Sequence, residues 1–175
     1  MAAAIELFDE RGYDQTTVAD IAERAGLTKR TFFRHFADKR EVLFSNGEDF
    51  QAAFVTGLAD APAETPPLEA VGIALEAGGA LLADRRPFAR RRQAIILANP
   101  ELQERERAKL ASVAEALAEG LRSRGVPEPA ASLAAQTGLA VFHVAFERWT
   151  TGEDERELVE VIRESLEALR AVAAA

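Results

Sequence analysis

The sequence predicts an all-α fold in two parts, a short N-terminal domain and a larger helical domain after it. Three observations carry this expectation. None of the 175 residues falls in a run that alternates apolar and polar side chains as a half-buried strand would. Proline and glycine instead punctuate segments whose apolar residues recur three and four apart. Two threonines, Thr17 and Thr28, each precede a short helix-compatible run, and Gly26 lies between those runs.

The elements follow in chain order. A first helix over residues 4–11 carries Ile5, Leu7 and Phe8 and stops at Gly12. Thr17 caps the second helix and Thr28 the third, each offering a hydroxyl to the unpaired amides of a helix start. Gly26 supplies the turn, because a residue without Cβ tolerates positive φ. Ala22 is small enough for a steep helix crossing, and Phe32 is expected on the inward face near Ile21 and Ala25. A longer helix capped by Asp38 runs through Val42, Leu43, Phe50, Phe54 and Leu58, and the proline-rich stretch 60–67 ends it. The next helix covers residues 68–83, softly interrupted at Gly78 and Gly79. Pro87 and Pro100 suit first-turn positions of two further helices, with Asn99 capping the second, which runs to Ser123. After the break at 125–129, a helix reaches Thr150, and a last one runs from about Asp154 to Val172. The expected domains are residues 1–45 and 46–175.

The third helix presents Lys29, Arg30, Phe33 and Arg34 outward, with Thr31 between them. A short helix with a basic outer face, crossed by a capped partner, is suited to the major groove of double-stranded DNA. Lys29, Arg30 and Phe33 are placed to read bases. Thr17, Thr28, His35 and Lys39 are placed to hold phosphates. A helical hairpin with merely solvated basic residues is the alternative. The coincidence of turn, two caps, apolar inner face and basic outer face favours DNA. The net charge of −8 does not oppose this, because residues 28–40 hold five Lys or Arg against the single Asp38. Fields at a surface are set by charges within about 8 Å at physiological salt.

The motif Leu7-Phe8, Gly12-Tyr13, Thr16-Thr17-Val18, Ile21-Ala22, Ala25-Gly26-Leu27-Thr28, Thr31-Phe32-Phe33, His35-Phe36 and Lys39 resembles the DNA-binding domain of the tetracycline-repressor (TetR/AcrR) family. The resemblance covers about the first 45 residues. It implies a helix-turn-helix domain followed by a helical domain for effector binding and dimerisation, about nine helices in all. Arg30 stands where the family often has Gly, adding a guanidinium near the bases. Phe33 stands in place of the usual Tyr, exchanging a hydroxyl for apolar contact with a thymine methyl. The chain begins roughly midway through the family's first helix, without the basic residues that commonly precede it.

The helix ending at Thr150 is apolar nearly all round, so more than one side must be covered. The last helix carries a cleaner stripe through Leu158, Ile162, Leu166 and Leu169. Paired with a twin subunit, the two helices would form a four-helix bundle, an arrangement that the resemblance also implies. Val141, Val144, Leu158, Ile162 and Leu166 are the expected interface; a purely monomeric core is the alternative. A ligand cavity is expected from the supply of aromatic side chains: Phe54, Phe88, Phe142, Phe146 and Trp149. Gly78 and Gly79 would leave space, and Gln136 and His143 would orient a mostly apolar small molecule, with the helix after Asp38 acting as lever. A packed aromatic core is the competing reading.

Other signals are weaker. His143 and Glu147 share the spacing of a metal pair without a third ligand, and a hydrogen-bonded core histidine is the plainer reading. Arg85, Arg86, Arg90, Arg91 and Arg92 form a basic run that would be solvated, or would touch Glu48 and Asp49 or couple the domains. No nucleophile–base set or phosphate-cradling loop occurs, so no enzyme and no cofactor are expected. Without cysteine, disulfides are excluded. Without a signal segment or long apolar run, a soluble cytoplasmic protein with no membrane partner is expected. The reading is a ligand-responsive regulator, a repressor that binds a palindromic operator as a homodimer. A constitutive or architectural DNA binder, and a helical enzyme or scaffold, are the alternatives.

Overall fold

A computed structural model describes residues 1–153 and 155–174, and the regular structure among them is helical. The helices are α1 (Ala2–Arg11), α2 (Val18–Arg24), α3 (Lys29–His35), α4 (Glu41–Phe44), α5 (Gly47–Asp60), α6 (Pro67–Ala80), α7 (Arg86–Leu97), α8 (Pro100–Ser123), α9 (Ala130–Thr151) and α10 (Leu158–Ala173). The single helix expected after Asp38 is divided into α4 and α5. Ser45, Asn46 and Gly47 meet there, three residues whose side chains or lack of one favour non-helical backbone. Gly78 and Gly79, expected to soften a helix, lie within α6 without breaking it. The expected start of the last helix at Asp154 lies outside the described residues.

The chain divides into two compact units: residues 1–47 with 87–106, and residues 48–86 with 107–175. These are not the continuous segments 1–45 and 46–175 that the sequence implies. The reason lies in the core of the first unit. Ile5, Phe8, Phe32 and Leu43 are buried in one cluster with Ile95, Ile96 and Leu102 from α7 and α8. Small helical segments bury too little apolar surface alone, and the returning helices complete the cover. The chain passes between the units at 47/48, 86/87 and 106/107, the last two inside α7 and α8.

In the second unit, α6, α9 and α10 pack on one another. Their closeness depends on missing side chains. A Cβ at Gly138 would lie 2.2 Å from Val71 Cγ1, and one at Gly78 would lie 2.1 Å from the Phe54 ring. Phe54, Val71, Leu75, Leu117, Leu121, Trp149 and Ile162 are among the fully or almost fully buried side chains. No helix among the described residues is long and apolar enough to cross a membrane.

Candidate nucleic-acid interface

Short-range capping builds the α2–turn–α3 segment. The Thr17 hydroxyl accepts from the Asp20 amide at 3.2 Å, while the Asp20 carboxylate accepts from the Thr17 amide at 2.8 Å. This reciprocal pair fixes the start of α2. Thr17 also donates its hydroxyl proton to Asp20 at 2.6 Å, and these bonds hold the Asp20 carboxyl below its ordinary value. At the other end Gly26 has φ 67°, with its amide on the Glu23 carbonyl at 3.0 Å and the Leu27 amide on Ala22 at 2.8 Å. That pair of bonds is a Schellman termination, and only a residue free of the Cβ penalty enters it cheaply. Thr28 then starts α3 by accepting from the Thr31 amide at 3.1 Å.

Phe32 is buried with Ile21 and Ala22, as the sequence implies. Ala25, expected beside them, is exposed at the end of α2, because the helix closes one residue earlier. Lys29, Arg30, Phe33, Arg34 and His35 are exposed and Thr31 is partly so; Phe33 keeps 55% of its surface in solvent. Its ring meets the buried Phe32 ring edge-on, with centroids 5.6 Å apart, and turns its remaining surface to solvent.

Charge pairing separates α3 from the rest of this segment. Arg24 makes two bonds to Glu10 at 2.7 and 2.9 Å and lies 3.6 Å from Glu6. Arg11 faces Asp20 at 3.5 Å, and Arg40 binds Asp38 at 2.5 and 2.9 Å. No carboxylate pairs with Lys29, Arg30 or Arg34 among the described residues; Arg34 meets only the His35 ring, at 3.3 Å. Lys29, Arg30 and Arg34 therefore present their charge to solvent without a carboxylate to offset it.

Two expected phosphate ligands are otherwise engaged. Lys39 Nζ donates to the carbonyls of Tyr13 at 2.7 Å, Thr16 at 3.1 Å and Asp14 at 3.4 Å, using all three of its protons. Its role is to tie the α1–α2 turn to the segment after α3. The Thr17 hydroxyl is committed to Asp20, whose carboxylate repels a phosphate from the start of α2. Thr28 and Thr31 share a hydroxyl contact at 3.0 Å and stand in the first turn of a helix with no acidic residue there. Sequence reasoning, which names Thr16 within the motif, overlooked its structural role: the side chain is buried, with its hydroxyl donating to Gly12 at 2.8 Å and Leu7 at 3.2 Å. It also overlooked Asp20, although Thr17-x-x-Asp20 spells a capping box.

Farther along the first unit, Arg92 donates to the Leu43 carbonyl at 2.8 Å and to both Glu106 oxygens at 2.6 and 3.3 Å. Arg91 faces Asp9 at 3.7 Å, and Arg105 is paired with Glu41. In the second unit, Arg86 donates to the Trp149 and Gly152 carbonyls, both at 2.7 Å, at the C-terminal end of α9. The basic run is thus partly structural and not simply a solvated face.

The residues expected at a ligand cavity are brought together only in part. Phe88 packs against the core of the first unit. Gln136 and His143 are exposed, so His143 is neither a pocket residue nor a core histidine. Phe54, Phe142, Phe146 and Trp149 do meet: successive ring centroids are 5.2, 6.1 and 5.9 Å apart. The space expected at Gly78 is filled by Phe54, and that at Gly79 by Ile162, whose Cδ1 would be 2.8 Å from an added Cβ. Among the described residues no group of three or more potential ligands could hold a metal ion.

The expected dimer residues also divide. Val141, Leu158, Ile162 and Leu166 are buried within the second unit, because their helices turn these side chains toward α6 and each other. Val144 is 50% exposed and shares the outer face of α9 with Leu133, which is 62% exposed.

Residues 1–45 match the model of the tetR family of bacterial regulatory proteins, and residues 65–174 match that of the MftR C-terminal domain. The chain is 45% identical over 74 residues to the HTH-type transcriptional regulator TcmR of Streptomyces glaucescens, covering 42% of this chain and 33% of that one. It therefore spans about a third of that relative's length. A protein of Mycobacterium tuberculosis described as the mycofactocin biosynthesis transcriptional regulator MftR is 29% identical over 153 residues, 86% of this chain and 77% of its own. Among solved structures, the TetR family regulator PfmR of Thermus thermophilus is 27% identical with a TM-score of 0.59, covering 95% of this chain and 94% of that one. The regulator FadR of Bacillus subtilis, solved with stearoyl-CoA, is alike in fold: TM-score 0.65 at 24% identity, covering 96% and 94%.

Proposed function

Because this chain belongs to the TetR family of bacterial regulatory proteins, with a C-terminal domain of the MftR type, we propose that it is a homodimeric repressor. It lays α3 in the major groove of a near-palindromic operator and leaves that operator when a small, mostly apolar effector binds the second unit. The observation that carries the reading is the charge pairing: among the described residues, Lys29, Arg30 and Arg34 are left without carboxylate partners on the one exposed helix that also presents Phe33. Arg30 reads guanine through its fork of donors, and Phe33 contacts a thymine methyl. Thr28, Thr31 and His35 face the phosphates beside them.

A single seven-residue helix contacts too few base pairs to find one site among a genome's competitors, so two copies are needed. With Val141, Leu158, Ile162 and Leu166 inside the protomer, the twin subunit meets the outer face of α9 at Leu133 and Val144. The ring series from Phe54 to Trp149 supports an apolar effector, as does the stearoyl-CoA bound by the FadR of similar fold. Such a molecule competes with Phe54 for the space over Gly78. Effector and the present packing then exclude one another, and a change in the second unit reaches the first through α7 and α8.

Selection of duplexes from a random pool by the purified full chain tests the DNA reading. A two-fold symmetric sequence should be enriched, and stearoyl-CoA, the first effector probe, should release it. Enrichment of no sequence would remove the specific operator, and a selected site unmoved by apolar ligands would leave a constitutive binder.

A further inference from the structure

The second unit carries a groove that operator binding and the apolar effector leave unused. It runs between α6 and α10, is open to solvent and has a volume of about 420 Å3. Gly72, Ile73 and Leu166 give it an apolar floor, and Pro62 and Thr65 line it from the loop before α6. Ile73 is 37% exposed, an aliphatic side chain offered to the groove and not to the core. Gly72 keeps the floor low, since a Cβ there would come within 3.1 Å of Leu166 Cδ1.

The walls are charged, and the charge has a sign. Arg163 binds Glu76 at 2.5 Å and Arg170 faces Glu69 at 3.6 Å, so both guanidiniums are matched across the groove. Glu167 lines the same space and has no ion-pair or hydrogen-bond partner among the described residues. Three carboxylates against two guanidiniums leave the groove at −1. An anion that took Arg163 or Arg170 would strand Glu76 or Glu69 beside itself. A cation meets Glu167 without breaking either pair.

We propose that this groove binds an amphiphilic organic cation, its apolar body on Ile73 and Leu166 and its charge at Glu167. The site is separate from the aromatic interior and is independent of operator binding. A pair of probes of the same shape and opposite charge isolates the two contributions: tetraphenylphosphonium and tetraphenylborate, titrated calorimetrically into the full chain. The phosphonium should bind once per chain. Glu167→Gln should weaken it by about three- to fivefold, the order expected for one solvent-exposed charge contact, and Ile73→Trp should block it by filling the groove. Thermal melts of both variants check that they fold, and operator binding by the same samples reports separately on the regulator reading. Equal binding of the borate, unchanged affinity in folded Glu167→Gln, or no binding of the phosphonium would each overturn the proposal.

Discussion

Lys39 Nζ donates to the Tyr13 carbonyl at 2.7 Å and lies 4.2 Å from the centroid of the Tyr13 ring. A cation expected on DNA is thereby a clasp within the first unit. Lys39→Met should lower the melting temperature and weaken operator binding only as far as folding suffers. Were Lys39 on a phosphate, its loss would also reduce the slope of log affinity against log salt by about one for each half-site. An unchanged slope is expected; a reduced slope in a folded variant would return Lys39 to the backbone of the duplex.

The Asp20 carboxyl is held below its ordinary value, chiefly by the Thr17 hydroxyl and then by the Thr17 amide. A depressed carboxyl contributes stability that is complete above its unfolded value of about 4 and is lost as pH falls through the lower folded value. Melts of the wild type and Asp20→Ala should therefore differ by a constant amount above about pH 5 and converge below about pH 4. A gap that widens on acidification would contradict the assignment.

Arg92 and Glu106 are only 13% and 19% exposed, so their pair is largely shielded from water. Removing the Arg92 guanidinium deletes its bonds to both Glu106 oxygens and to the Leu43 carbonyl in a site shielded from water, at a cost of about 3 kcal/mol. Arg92→Met should lose that much in denaturant unfolding, and Arg92→Met with Glu106→Gln should recover part of it. A double variant as unstable as the sum of the single ones would show that the two side chains act separately.

Gly78→Ala should destabilise the second unit by about 1–3 kcal/mol, the range for forcing a methyl into a filled core, because the Phe54 ring occupies that space. Phe54→Leu in the same chain should relieve part of the cost. A neutral Gly78→Ala would mean that the ring moves aside freely, and the effector would then have no packing to displace.

Leu133→Glu and Val144→Glu should each give monomers in light scattering, whereas Val141→Glu should impair folding itself. Dimers that persist in both surface variants would move the interface off the outer face of α9.

What the sequence made legible was local. Thr17, Gly26 and Thr28 act within four residues of themselves, and their caps and turn lie where spacing alone puts them. The all-helical pattern was readable for the same reason. Long-range partners were not. An apolar period shows that a face is covered but not by what, so Leu158, Ile162 and Leu166 read equally well as interface or core. Phe88 looked like pocket because nothing in its neighbourhood announces that α7 returns to the first unit. The glycines in α6 read as empty space, although each is a seat for a side chain far away in the chain. Lys39 shows the same limit: composition displays its charge, and only the fold reveals the three carbonyls that absorb it.

The claim that the exposed face of α3 reads DNA is tested most directly by fluorescence anisotropy on the selected operator and its single-base variants. Wild-type protein is compared with Arg30→Ala and Arg34→Ala at fixed salt. Arg30→Ala should lose discrimination worth about 1–3 kcal/mol at one position in each half-site, leaving the other positions as selective as before. Uniform weakening across all base variants, or full discrimination without the Arg30 side chain, would contradict base reading by this helix.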